Sequence, residues 1–114
     1  MDKKTKKLLL CGIPLYELGV NEWALTTEQA LTAIKIFRKK NIAVLGGDVY
    51  SVIDGKPESL YDNWYCEEKK VDESEKDFIV RSLSYAEKFI LNYNNHNISE
   101  PFFTLVCFQQ DERR

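Results

Sequence analysis

Four carboxylates in this chain stand among aromatic residues: Glu22 beside Trp23, Asp48 two residues before Tyr50, Asp62 within Tyr61-Asp62-Asn63-Trp64-Tyr65, and Glu67 just beyond Cys66. Paired carboxylates can act as general acid and base or hold a divalent cation. The residues that would complete such a site do not accompany them. The one histidine, His96, lies in an asparagine-rich link, Asn92 to Asn97, where an imidazole is solvated. Cys11, Cys66 and Cys107 are odd in number and widely spaced, without a C-x-x-C pair for zinc or thiol exchange, so they read as thiols of a reducing cytosol. Cys66 and Cys107 alternate with large apolar residues and behave as small buried hydrophobes. Gly46-Gly47 belongs to no phosphate-binding glycine motif. The sequence therefore predicts no catalytic residue, no metal and no cofactor. One chemical alternative stays open: Asp48 and Asp62 in a cleft beside Trp64, as a small-ligand binding module or minor hydrolase. Otherwise these two acids bond turn backbone or Asn63, or meet a partner.

Charge is distributed unevenly. The net formal charge is −2, yet residues 42–80 hold 10 acidic against 4 basic side chains, and residues 1–41 hold 8 basic against 4 acidic. Aromatic rings set among carboxylates are poorly placed to stack nucleic-acid bases, because phosphate repels such a surface. They suit a basic protein partner, for which tyrosine and tryptophan supply contact energy and carboxylates speed encounter. Asp48, Tyr50, Tyr61, Asp62, Tyr65 and Glu67 are accordingly the candidate partner-binding residues. The start, Met1 to Leu10, has the basic beginning of a signal peptide, but Gly12 and Pro14 interrupt the apolar run, so a cytoplasmic protein with no membrane contact is expected.

The elements that must position these side chains follow from periodicity. Leu8 to Leu25 has little, and predicts a short helical turn and an irregular segment with Trp23 anchored in the core or at its margin. Thr26-Thr27-Glu28-Gln29 offers a capping box to a helix with Ala30, Ala33, Ile34 and Phe37 on one face, widened by Leu31 and ended by Asn41. Lys35, Arg38, Lys39 and Lys40 collect where the helix dipole favours cations. Ile42 to Leu45 is apolar at four successive positions, and Gly46-Gly47 then signals a bulge or a close backbone approach. Asp54-Gly55 between two strand-like runs predicts a two-residue type I′ hairpin, which would set Val49 facing Leu60 and Asp48 nearly opposite Tyr61. A second helix starts in Asp72-Glu73-Ser74-Glu75 and carries the stripe Ile79, Leu83, Ala86, Ile90 and Tyr93, flanked by Phe78 and Phe89. Phe102 to Phe108 reads as an interior strand.

The fold class is thus α+β: a small, mostly antiparallel sheet of about three strands packed against two main helices, in one domain over residues 1–114, with 1–7 and 110–114 frayed. Gly46, Gly47, Trp23 and Trp64 are the candidate structural residues.

Three ordered segments resemble the immunity protein 40 family of bacterial polymorphic toxin systems: Gly19-Val20-Asn21-Glu22-Trp23-Ala24-Leu25, Val44-Leu45-Gly46-Gly47-Asp48-Val49-Tyr50, and Tyr61-Asp62-Asn63-Trp64-Tyr65. With the helices between and after them, the resemblance covers roughly Leu9 to Tyr93. It implies a small cytosolic protein that binds and neutralises a cognate toxin domain without catalysing a reaction.

Overall fold

The computed structural model describes residues 3, 12–15, 18, 22–95, 98 and 100–108. Expectations for Cys11, for Gly19 to Asn21, for His96 and for the tail 110–114 fall outside them, as do those for the lead-in 1–7 apart from Lys3.

Among the described residues eight elements follow in order: β1 (Ile13–Pro14), β2 (Trp23–Thr26), α1 (Thr27–Lys40), β3 (Ala43–Ile53), β4 (Lys56–Tyr65), α2 (Glu75–Asn92), β5 (Phe102–Phe103) and β6 (Val106–Phe108). The strands lie in the order β1-β2-β5-β3-β4, with β6 also on β3, and every pairing is antiparallel. The class is α+β as expected, but six strands are described where about three were predicted. Two of the additions, β1 and β2, come from the segment expected to be helical and irregular. These strands are two and four residues long, too short to impose a period on the sequence. The last strand is broken into β5 and β6 around Thr104-Leu105, both halves on β3.

The helix boundaries follow the sequence closely, because their determinants are local. Thr26 Oγ1 accepts from the Gln29 N–H at 3.1 Å while Gln29 Oε1 accepts from the Thr26 N–H at 3.0 Å, a complete capping box. Asn41 ends α1 in the left-handed region, with φ 56°. Ser74 caps α2, its hydroxyl accepting from the Asp77 N–H at 3.0 Å.

Side-chain alternation separates two apolar layers. Leu25, Val49 and Phe103 pack into the main core with Ala30, Ala33, Ile34 and Phe37 of α1 and Leu83, Ala86 and Ile90 of α2. Their neighbours Ala24, Tyr50 and Phe102 turn to the opposite face, where they pack with Ile13 and Leu15. Both helices therefore lie on one side, and β1 folds over part of the other.

At Gly46-Gly47 both alternatives are realised. The β3–β6 register shifts between Val44 and Gly46, which leaves Leu45 as the extra residue of a bulge. Beyond it, a Cβ on Gly47 would run into the Thr104 carbonyl and the six-membered ring of Trp64, and one on Gly46 into the Trp64 carbonyl. Trp64 is 5% exposed, stacked on Phe89 at 4.7 Å between ring centroids and edge-on to Phe103 at 6.5 Å. Thr104, fully buried, completes the seat: its N–H donates to the Asp48 carbonyl at 3.0 Å and its Oγ1 accepts from the Asp48 N–H at 2.9 Å. Trp23 is half-buried at the end of β2, at the margin and not in the main core.

The packing at Gly47 sets a test. Urea unfolding of Gly47→Ala should show a loss of about 3 kcal/mol, the upper end of overpacking costs. Gly55→Ala, where only the positive φ of 77° is at stake and the added carbon meets nothing, should lose about 1 kcal/mol. Equal losses would show that Trp64 is not seated on Gly47.

Candidate functional site

The tip of the β3–β4 hairpin forms as predicted: Asp54 and Gly55 have φ 53° and 77°, and Ile53 pairs with Lys56. The register this turn imposes holds only as far as Tyr50 and Ser59. Asp48 then pairs with Asn63 and not with Tyr61, because Leu60, Tyr61 and Asp62 all lie opposite Val49. Two additional residues have entered β4. An even slip keeps every later side chain on its face, so Trp64 still points into the core. Leu60 packs at the edge of the same core that holds Val49.

The bulge places its residues in unusual ways. Tyr61 takes φ 62°, a left-handed conformation that costs a non-glycine residue roughly 1–2 kcal/mol, and its side chain is 89% exposed. Its N–H donates to Ser59 Oγ at 3.1 Å. Strain combined with an exposed ring gives the fold nothing, and such outliers gather at functional sites. Asp62, also exposed, accepts from the Tyr93 hydroxyl at 2.6 Å at the end of α2. Burial, then this carboxylate, pushes the Tyr93 phenol up. Beyond the bulge, Tyr65 is 73% exposed and Glu67 is exposed.

The other two candidates lie on the face away from the helices. Asp48 is half-buried there, and Tyr50 is 5% exposed within the smaller apolar cluster. Burial first, then the charges of Asp48 and Glu22, push the Tyr50 phenol up. Glu22 is raised above the usual carboxylate range by burial and then by Asp48. The carboxylate that Asp48 faces is thus Glu22, brought over by β2, while Asp62 turns to Tyr93 on the helical side. Asp48 and Asp62 do not share a cleft.

A cleft does lie along the outer end of β4. Asn63, Trp64, Tyr65, Cys66 and Glu67 line it with Arg81, Tyr85 and Phe89 of α2, and it encloses about 540 Å³ while remaining open to solvent. Arg81, Tyr85 and Phe89 recur at helical spacing and share one face of α2. Arg81 is fully engaged: Nε and Nη2 donate to the two Glu73 oxygens at 2.8 Å each, Nη2 to the Glu68 carbonyl at 3.1 Å, and Nη1 to Cys66 Sγ at 3.4 Å. The guanidinium hydrogen bond holds the Glu73 carboxyl down at about 2. Burial pushes the Cys66 thiol up against the pull of Arg81, which keeps the sulfur protonated, as a small hydrophobe should be. With Arg81 paired to Glu73, the carboxylate lining the cleft is that of Glu67, and Glu68 follows it in the chain, both residues exposed. Among the described residues no cluster of three or more His, Cys, Asp or Glu could hold a metal ion.

Arg81, Tyr85 and Phe89 were not among the sequence candidates. The available signal was Tyr85, an aromatic residue off the apolar stripe of α2, but only the tertiary fold sets it beside Tyr65.

The family model of immunity protein 40 matches residues 14–107, most of the chain. No curated protein and no solved structure matches it. No helix among the described residues is long and apolar enough to cross a membrane.

The raised Glu22 predicts a specific pH dependence. Its folded-state pKa lies above the unfolded value of 4.5, so its stabilising contribution is complete below 4.5 and is lost as pH rises through the folded value. Glu22→Gln should therefore be more stable than the parent at pH 7, and the difference should disappear well below pH 4.5. Urea melts across that range check the sign; a variant less stable at pH 7 would mean that the carboxylate is favourably paired.

Proposed function

We propose that the chain, which belongs to the immunity protein 40 family, binds a cognate toxin domain and neutralises it by occlusion, using the outer end of β4. The observation that carries this reading is a pair of exposed tyrosines, Tyr61 in the bulge at 89% and Tyr65 beyond it at 73%, followed by the exposed acids Glu67 and Glu68. An exposed aromatic ring held in a strained backbone has no use in folding, and tyrosines bordered by charge are the usual anchors of a protein interface. The local excess of acidic residues between 42 and 80 favours a basic partner surface. About 800 Å² per partner, a standard interface, fits on the strand, its bulge and the neighbouring face of α2. Of the six residues proposed from sequence, Tyr61, Tyr65 and Glu67 carry the contact. Asp62 supports the bulge through Tyr93, and Asp48 and Tyr50 shape the sheet behind it. The small-ligand alternative at Asp48 and Asp62 has no geometry in its favour, since neither residue lines the cleft beside Trp64.

Co-expression with the toxin domain encoded by the adjacent gene should give a complex that survives purification, and excess immunity protein should abolish toxin activity; untouched activity would overturn the reading. Glu67→Lys with Glu68→Lys should slow association, most strongly at low salt, in stopped-flow or surface-based kinetics. Tyr61→Gly should separate stability from function: the melt shifts upward by about 1 kcal/mol as left-handed strain is relieved, while toxin affinity falls.

A further inference from the structure

The hydrogen-bonding direction of β4 can be read residue by residue. Cys66 N–H donates to the Leu45 carbonyl at 2.8 Å, so Cys66, and with it Trp64 two residues back, turns its backbone groups inward to β3. Asn63 and Tyr65 then turn theirs outward. The bonds of Asp48, the partner of Asn63, agree: its N–H and C=O go to Thr104 on the far side of β3. β4 is the last strand of the sheet, and among the described residues none pairs with its outer edge.

The upper half of that edge is interrupted. Ile53 and Lys56 flank a two-residue turn and face each other inward, so Pro57 and Ser59 are the residues turned outward; Pro57 has no N–H to give, which leaves Ser59 alone with an outward N–H before the bulge. The bulge follows, with the Tyr61 N–H already bonded to Ser59. An exposed edge is a template for a further strand unless it is interrupted, and here Pro57 and the bulge break it up as far as Asp62. Immediately beyond it, the unpaired backbone of Asn63 and Tyr65 borders the cleft formed with Arg81, Tyr85 and Phe89.

Resting on the toxin-binding reading above, we infer that the toxin domain docks by strand addition: an extended, basic segment pairs with the outer edge of β4 from Asn63 to Tyr65, and one of its Lys or Arg side chains enters the cleft. An added strand sends alternate side chains to opposite faces, so every second residue would point into the cleft between β4 and α2. There the aliphatic stem of Lys or Arg lies on the rings of Tyr85 and Phe89, and its charge meets the exposed Glu67 and the neighbouring Glu68, whose carboxylates take no hydrogen bond from Arg81, its donors going to Glu73, Cys66 and the Glu68 carbonyl. The same charges argue against a second copy of this chain as the occupant. Edge-to-edge pairing of two β4 strands would set Asp62, Glu67 and Glu68 of each copy along those of the other.

Two measurements on the full chain test this. In amide hydrogen exchange, the Asn63 and Tyr65 N–H groups should exchange quickly in the free protein and become protected in the complex with the toxin domain, while Trp64 is protected in both. Tyr65→Pro removes the outward N–H as well as the side chain that Tyr65→Ala removes, and should weaken toxin binding roughly tenfold relative to Tyr65→Ala, the value of about one main-chain hydrogen bond. Should the proline variant fail to fold, the exchange pattern of the parent protein decides. Binding that leaves both amides unprotected overturns strand addition and leaves the immunity reading standing. A dimer of the chain alone that protects these amides also overturns it, with a second copy as the occupant. If the toxin domain does not bind at all, the immunity reading fails and this inference with it.

Discussion

The seating of Trp64 on Gly47 is the constraint on which the rest of the structure depends. The ring occupies the space that any side chain at position 47 would fill, with Phe89 of α2 stacked on it and Phe103 of β5 at its edge. Four elements, β3, β4, α2 and β5, are fixed against one another around this ring, and the close approach of the Thr104 carbonyl to Gly47 joins the link between β5 and β6 to the same point. Tertiary structure of this kind is specified by shape more than by hydrophobicity, since a larger residue at 47 is no more polar than glycine and yet cannot be accommodated.

With Trp64 held inward, the alternation of β4 forces Asn63 and Tyr65 onto the outside. The bulge then separates two parts of one strand with different uses. The half near the turn is short of edge donors, because Pro57 has none; the half beyond Asp62 is regular and bordered by aromatic and acidic groups. Stability and exposure are divided along the same line. Tyr93 and Asp62 tie the bulge to α2, so the strained Tyr61 is presented on a supported backbone and not on a loose loop.

How much of this was legible depends on the range of the interactions involved. Thr26 with Gln29, Asn41, Ser74 and Asp54-Gly55 each act within four residues, and each was readable with its mechanism. The faces of α1 and α2 were readable because a 3.6-residue period survives over several turns. β1 and β2 were not, since strands this short exist only through their neighbours. The exposure of the candidate residues was legible in part. Tyr61, Tyr65 and Glu67 are exposed, whereas Tyr50, chosen on the same composition, is buried in a cluster with Leu15 and Ala24. Alternation alone could not tell them apart, because β1 covers one stretch of that face and leaves the rest open.

The sequence by itself determined the class of the fold, the helix ends, the hairpin tip, the need for glycine near position 47 and the acidic, aromatic character of one region, all of which rest on local chemistry or composition. Only the tertiary structure decided that Asp48 faces Glu22 and not Asp62, that two residues slip into β4 at Tyr61, and that Arg81, Tyr85 and Phe89 border its open edge. Those outcomes depend on which distant segments pack together. A bulge is placed by the balance of core packing along a whole strand, and no single residue at Tyr61 announces it.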